Sequence, residues 1–412
     1  MSSLRDAAIA RDVADPLARF RAAFSLPAGV IYLNGNSLGP PPGTALASLA
    51  AVATEEWGQG LIGSWNSAGW IEAPTRIGDK IARLIGAKAG EVVVADSTSV
   101  NLFKLAAGAL SLRPGRRTIL SEVGNFPTDL YVLQGLSALT PGQARLKAVA
   151  PEALIEAIDA DVAVVVLTQV HYKSSRRWDM AAVTAAAHAK GALILWDLSH
   201  STGAVAVDLG ACRADLAIGC GYKYLNGGPG APAYLFVAQR HQQAIRSPLT
   251  GWMGHAEPFA FDDDYRPAPD IRAQVTGTPP ILGLAALEAG VDLQLEADPA
   301  QVEAKGAALA EAFRAAVSPR LEARGLDLAS PAAAADRGLH LAFRHPAAYA
   351  IVRAMAARGV IGDFRAPDAA RFGFSPLFLS YLDIHNAAEH FVEVVESGEF
   401  NRPEHQVRAA VT

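Results

Sequence analysis

Between about residues 90 and 240, short aliphatic runs alternate with longer segments of helical periodicity, and this alternation leaves few architectures open. The runs are Val92-Val-Val-Ala95, Thr118-Ile-Leu-Ser121, Lys147-Ala-Val149, Val162 to Leu167, Ala192-Leu-Ile-Leu-Trp196 and Asp215-Leu-Ala-Ile218. Helices are expected from Thr98, Pro127, Pro151 and Met180, between those runs. Runs apolar at nearly every position suit strands covered on both faces. The repetition therefore predicts an α/β fold: a mostly parallel mixed sheet, helices on both faces, and ligands at the carboxyl ends of the strands. With 412 residues, 51% of them hydrophobic, the chain can fill more than one core. A large domain is expected over 31–290 and a small C-terminal α/β domain over 291–412. An N-terminal helical segment over 1–30, with its helix at Asp15 to Phe24, is expected to pack with the small domain. Pro42 to Trp57 reads as an amphipathic helix, and Ile281 to Leu295 as the connecting helix. The small domain follows with helix 299–317, strand Leu339 to Phe343, helix Pro346 to Arg358 and strand Val360 to Arg365.

Charge and hydropathy exclude several function classes. The net charge of −5 and the absence of a basic run argue against nucleic acid or an anionic membrane as partner. The longest aliphatic run, near Val162 to Leu167, is far shorter than the ~20 apolar residues of a membrane span. Met1-Ser-Ser-Leu-Arg5-Asp6 lacks the apolar core of a signal peptide, so a cytoplasmic protein is expected. Cys212 and Cys220, read as lying on adjacent strands, form neither a disulfide framework nor a zinc set. No metal is expected.

Chemistry-bearing residues fall at the ends of the runs. Asp197 closes the Ala192 run, and Lys223, in Gly221-Tyr-Lys-Tyr-Leu-Asn-Gly-Gly-Pro-Gly230, comes 26 residues later just past another strand. A carboxylate and an amine so placed suit pyridoxal phosphate, which needs an amine for its aldehyde and an acid beside its pyridine nitrogen. A partly desolvated lysine also loses its proton readily. On spacing alone, a strand-end aspartate and a surface lysine explain the pair equally well. His200 and Tyr222 bracket it with acid/base groups, and glycines 227, 228 and 230 let backbone approach a ligand. Thr98 and Ser99 open a helix whose free amides suit a phosphate, and they serve equally as a plain cap. In Asn125-Phe-Pro-Thr-Asp129, Phe126 can lie against a ring and Asp129 can orient a phosphate-binding group; a turn and helix start is the alternative. Thr168 either reaches a cofactor oxygen or caps its strand. Ser64-Trp-Asn-Ser-Ala-Gly-Trp70 is either core or an aromatic wall. In Ala370-Arg-Phe-Gly-Phe-Ser-Pro376, Arg371 beside a turn can clamp a carboxylate bidentately, although an exposed arginine is the commoner case.

Asp197-Leu-Ser-His200 together with Tyr222 to Gly230 resembles kynureninase, a pyridoxal-phosphate hydrolase of fold type I, and the resemblance runs through nearly the whole chain. Ile31 to Pro40 resembles the family's N-terminal signature, with Asn34 where Asp is common; Gly221 stands where a hydroxyl residue is frequent. The resemblance implies hydrolysis of L-kynurenine to anthranilate and L-alanine in tryptophan catabolism, with 3-hydroxykynurenine as a possible second substrate. Lys223, Tyr222 and Asp197 are implied as catalytic. Thr98, Ser99, Phe126, Asp129, Thr168, His200, Trp252 and Thr278 are implied to join them in binding the cofactor, the last two from the other subunit of a homodimer with shared sites. Trp65, Asn36 and Arg371 are implied to bind the amino-acid substrate. Trp65, Gly277 and Thr278 resemble the bacterial, kynurenine-preferring pattern. An aminotransferase shares the Asp/Lys pair, and a desulfurase or lyase shares the fold but needs a late cysteine, whereas none follows Cys220. A non-catalytic regulatory protein that kept the fold is the rival from another class.

Overall fold

The aliphatic runs form the centre of the molecule because their backbones pair with one another while helices cover their side chains. The computed structural model describes residues 4–408. After a short strand β1 (Ile31–Tyr32), the chain builds β2 (Val92–Val94), β3 (Thr118–Glu122), β4 (Arg145–Val149), β5 (Val162–Thr168), β6 (Leu193–Asp197), β7 (Leu216–Gly219) and β8 (Tyr234–Val237). Strands β2 to β8 make a seven-stranded sheet in the order β2-β8-β7-β6-β5-β3-β4. The pairs from β7 across to β4 are parallel, and β8 runs antiparallel to both β2 and β7.

Side-chain alternation splits this sheet between two cores. Ile194 and Trp196 pack with Ile77 and Ile81 of helix Ala73–Leu84, Val183 of Met180–Ala189 and Leu287 of Ile281–Leu295. Leu193 and Leu195 point the other way, onto Leu102 and Leu105 of helix Thr98–Ser111 and Leu133 of Pro127–Leu139. The expected α/β class, with its mostly parallel sheet covered on both faces, is therefore present.

Further along, β9 (Asp327–Leu328), β10 (His340–Arg344), β12 (Asp363–Arg365) and β13 (Ala369–Gly373) form an antiparallel sheet, while β11 (Val360–Ile361) pairs in parallel with β1. A third core gathers Leu309 and Phe313 of helix Pro299–Leu321, Phe343, Phe372 and Phe391 of helix Tyr381–Ser397. Leu17, Phe20 and Phe24 from the start of the chain join the same cluster.

Several local expectations are corrected. The first helix is Leu4–Val13, and Ala18–Ala23 is a 3-10 turn. Asp15 starts no helix, because its carboxylate accepts from Leu17 N at 2.9 Å and pairs with Lys305 at 2.6 Å, which stabilises a turn at Asp15-Pro16 instead. From Pro151 only a 3-10 turn forms, Pro151–Ala153, in the link from edge strand β4 past β3 into β5, which buries Leu154 and Ile158. Pro42 to Trp57 divides into helix Gly43–Ala51 and a π-helical stretch, Val52–Trp57. The run Val360 to Arg365 breaks at Gly362, where a Cβ would lie 2.6 Å from the Phe372 ring, and its halves join different sheets. Cys212 lies in the turn before β7 rather than on a strand, and Cys220 directly follows β7. Both are free. Among the described residues no helix is long and apolar enough to cross a membrane.

Candidate active site

The carboxyl ends of β5 and β6 lie side by side, with Thr168 in register with Asp197. Asp197 is 3% exposed, and its Oδ1 accepts from Ser199 N at 2.8 Å, a bond that turns the chain away from the strand. Beside it Thr168 donates to Asn125 Oδ1 at 2.6 Å and lies 3.3 Å from Asp129 Oδ2. Asp129, buried in the first turn of Pro127–Leu139, has its pKa pushed well above the usual carboxylate range, first by burial and then by the charge of Asp197.

Lys223 is 8% exposed, and its Nζ lies 3.4 Å from His200 Nδ1 and 5.8 Å from the centre of the Tyr222 ring. Burial, then the charges of Lys223, His340, Arg371 and Arg365, hold His200 well below its ordinary pKa, so the ring is neutral at pH 7. Tyr222 is half-buried, and burial, helped by Cys220 and Asp197, raises its pKa. Its phenol is thus a proton donor at neutral pH. Gly221 is closely hemmed in: a Cβ there would stand 2.4 Å from the Pro232 carbonyl oxygen and 3.0 Å from Leu287. That contact disfavours any side chain at this position.

A loop from the start of the chain ties this group to the smaller sheet. Gly39 N donates to the Tyr222 carbonyl at 2.8 Å, and Asn226 Nδ2 to the Pro40 carbonyl at 3.0 Å. A Cβ on Gly39 would sit 2.2 Å from the Lys223 carbonyl oxygen, so only glycine permits this approach. Ser37 Oγ donates to Asp363 Oδ2 at 2.6 Å and accepts from Arg371 Nη2 at 2.7 Å and Arg365 Nη2 at 3.1 Å. Arg371 is on β13 rather than beside a turn, opposite Asp363 on β12, and it is 1% exposed. Its Nε donates to Asp363 Oδ1 at 2.8 Å and its Nη1 to the Tyr172 carbonyl. Arg365 donates to the same carboxylate at 2.8 Å. Burial pushes the Asp363 pKa up, but the two guanidinium groups and Ser37 outweigh it and hold the carboxylate below its usual range. Two cations on one anion leave a net positive charge in a largely buried setting. Asn36, 1% exposed in the same loop, makes no side-chain hydrogen bond among the described residues.

The helix of Thr98 and Ser99 is capped one residue earlier than expected: Ser97 Oγ accepts from Val100 N at 3.3 Å, which leaves Thr98 and Ser99 in the first turn, partly exposed. Asp96, just ahead of them, has φ +51° and pairs with the buried Lys104 at 2.7 Å. Phe126 is 37% exposed, and its ring meets that of Tyr172 edge-on at 5.2 Å. Trp65 packs edge-on against Trp70 at 5.8 Å. Trp252 lies on the surface beside Phe259 and Phe261, and Thr278 is exposed. Within one chain the structure gathers Asp197, Lys223, His200, Tyr222, Thr168 and Asp129, with Arg371 and Asn36 on the facing loop and strand. No hydrogen bond or ring contact among the described residues joins Trp65, Trp252 or Thr278 to that group. Sequence reasoning missed Ser37, Asp363, Arg365, Tyr172 and His340. The recurrence of Asp363 and Arg365 around a hairpin with Arg371 was the signal available for two of them.

Relatives of matching length decide the affiliation. The chain is 46% identical over 413 residues to a kynureninase of Burkholderia pseudomallei, with 99% of each covered, and equally close to one of Pseudomonas fluorescens. This chain belongs to the kynureninase family. The family model for the kynureninase C-terminal domain matches residues 302–391. Beyond the family, a cysteine desulfurase from Thermococcus onnurineus NA1 superposes with a TM-score of 0.77 at 16% identity, covering 92% of this chain and 98% of its own. The fold is accordingly that of the fold type I pyridoxal-phosphate enzymes.

Proposed function

We propose that the chain hydrolyses L-kynurenine to anthranilate and L-alanine, breaking the Cβ–Cγ bond with pyridoxal phosphate held on Lys223. The observation that carries this reading is the buried Asp197 and Lys223 at one end of the sheet, with neutral His200 at 3.4 Å from the amine, in a chain 46% identical to kynureninases over its length. The residues suit the cofactor. Lys223 offers a shielded amine, Asp197 a buried carboxylate for the ring nitrogen, and Thr98 and Ser99 the open first turn of a 14-residue helix for the phosphate. Phe126 supplies a ring face, while Thr168 and Asp129 supply short-range polar contacts.

When bound, the cofactor supplies an electron sink to the substrate's α-carbon. The net positive charge of Arg371 and Arg365 about Asp363 attracts the substrate's α-carboxylate, and Asn36 has an amide free to orient it. Lys223 takes the α-proton. Tyr222, protonated at neutral pH, handles the proton at the γ-carbonyl oxygen as water adds to the γ-carbon and the bond to Cβ breaks. The γ-carbon departs in the anthranilate carboxylate, the electron pair of the broken bond stays with the three-carbon fragment, and protons delivered to its β-carbon and, from Lys223, back to its α-carbon give L-alanine.

Trp252 beside exposed Phe259 (61%) and Phe261 (74%) makes an apolar surface of the kind that partners cover. We place a second copy there, completing each site with Trp252 and Thr278, and assign Trp65 to the aromatic end of kynurenine. A desulfurase is disfavoured on chemistry, since it needs a cysteine late in the chain and none follows Cys220 in this sequence. The test is product analysis: L-kynurenine should give anthranilate and alanine in equal amounts, faster than 3-hydroxykynurenine is cleaved, whereas a keto acid without anthranilate would establish an aminotransferase.

A further inference from the structure

In β10 a histidine stands among apolar neighbours. His340 is fully buried between Leu339 and Leu341, and among the described residues neither of its ring nitrogens has a hydrogen-bond partner in good geometry, the His171 backbone lying beside it. His200, 4% exposed, is in the same condition at Nε2, while its Nδ1 faces Lys223. The two rings lie against each other, with centroids 5.4 Å apart and planes at 50°. Buried polar atoms without partners are costly, so two imidazoles packed together imply that each serves the other. At that separation a direct hydrogen bond after a small ring rotation, or one bridging water, is within reach.

The tautomers follow from the surroundings. Around His200 stand Lys223, Arg371 and Arg365, and around His340 stand Arg371, Lys223 and His171; with burial, these keep both rings uncharged. A neutral imidazole has one donor and one acceptor nitrogen. An ammonium only donates, so His200 Nδ1 is the acceptor toward Lys223 and Nε2 carries the proton. That N–H needs an acceptor, and the ring packed on His200 is His340. The carbonyl of His171, beside His340, suits the remaining N–H of that ring.

We propose that His340 is a positioning residue, which accepts the Nε2–H of His200 and so fixes the tautomer and plane in which Nδ1 faces the Lys223 amine. Its importance for turnover rests on Lys223 being the reactive amine; the histidine pairing itself does not. The test is NMR of full-length protein labelled with nitrogen-15 at histidine, before and after addition of pyridoxal phosphate, with His200→Asn identifying the signals. Before addition, His200 should show a protonated Nε2, a bare Nδ1 and a proton that exchanges slowly with water. His340→Phe keeps the volume and removes the acceptor, and should speed that exchange on the order of tenfold, the factor that one ordinary hydrogen bond supports. His340→Gln restores an acceptor and should recover most of the protection. A merely structural role would lower the melting temperature and leave the His200 signals unchanged. A protonated Nδ1 in the wild type, or identical His200 signals in a folded His340→Phe protein, overturns the proposal. Should the Phe variant not fold, the reciprocal observation decides: His200→Asn must shift the acceptor nitrogen of His340, and no shift overturns the pairing. If the pairing holds while borohydride labels another lysine, the functional reading fails and the pairing stands.

Discussion

Asp215, one residue before β7, is the buried anchor beneath the Asp197 strand, and Asp215→Asn gives a prediction whose size can be worked out. Its side chain is 3% exposed, and its two oxygens accept from Arg240 Nη2 at 2.7 Å, His241 Nε2 at 2.8 Å, His188 Nε2 at 2.8 Å and Ile194 N at 3.0 Å. The last of these ties the anchor to β6, three residues before Asp197. Burial alone would raise the Asp215 pKa, but the hydrogen bonds from His241, His188, Ile194 and Arg240 outweigh it and hold the carboxyl far below the usual range. In the asparagine variant one oxygen keeps its donors, while the new NH2 group faces two others. Losing two such bonds costs about 3 kcal/mol, after discounting for the half-exposed Arg240. With an unfolding entropy of roughly 2.1 cal/mol/K per residue, a chain of 412 residues should melt about 3–4 °C lower. Because the folded-state pKa is depressed, the stabilisation is fully present above the unfolded value near 3.9 and fades only as pH falls below it. The melting difference should therefore persist from pH 8 down to pH 5 by scanning fluorimetry. Equal melting temperatures at pH 7, or a difference that vanishes between pH 8 and pH 5, would refute the reasoning.

Three further outcomes are expected. Tyr222→Phe should retain exchange of the substrate α-proton with solvent yet release anthranilate about 10²–10⁴-fold more slowly; if both rates fall together, Tyr222 acts before bond cleavage. Inactive Lys223→Ala chains mixed with inactive Trp252→Ala chains should regain part of the activity once subunits exchange, because one of the two sites in each heterodimer is intact; no recovery despite exchange counts against shared sites. Gly39→Ala places a methyl group against the Lys223 carbonyl, so it should lower both cofactor affinity, read by absorbance titration, and the melting temperature, and a variant matching the wild type in both shows that the loop does not brace Lys223.

The extent to which this molecule can be read from sequence follows from the range of the interactions concerned. The aliphatic run at Val162 had to be a buried strand wherever it lay, and Pro279-Pro280 followed by a long apolar stretch marked the helix Ile281–Leu295, so these local features were legible. Asp197, Thr168 and Lys223 were legible as candidates because strand ends are where such folds place ligands. Strand β8, Tyr234–Val237, was not, for its four residues follow a Gly/Pro-rich passage and its antiparallel direction depends on that turn. The early helix was misplaced because a contact with distant Lys305 decides how Asp15 behaves. Arg371 reads from sequence either as a clamp beside a turn or as an exposed arginine; the hairpin register that puts Asp363 opposite it leaves no local periodicity. His340 offered no signal at all: a lone histidine in an apolar strand gains its meaning only from the ring of His200 packed upon it.

The central claim is that the chemistry is organised on the Lys223 amine, beside Asp197 and His200. Reducing the pyridoxal-phosphate-loaded protein with borohydride and mapping its peptides by mass spectrometry tests this most directly. The account predicts one modified peptide, carrying the reduced cofactor on Lys223, with loss of the visible absorbance and of anthranilate production; label on any other lysine, or unmodified Lys223 in a protein whose activity is lost, would contradict it.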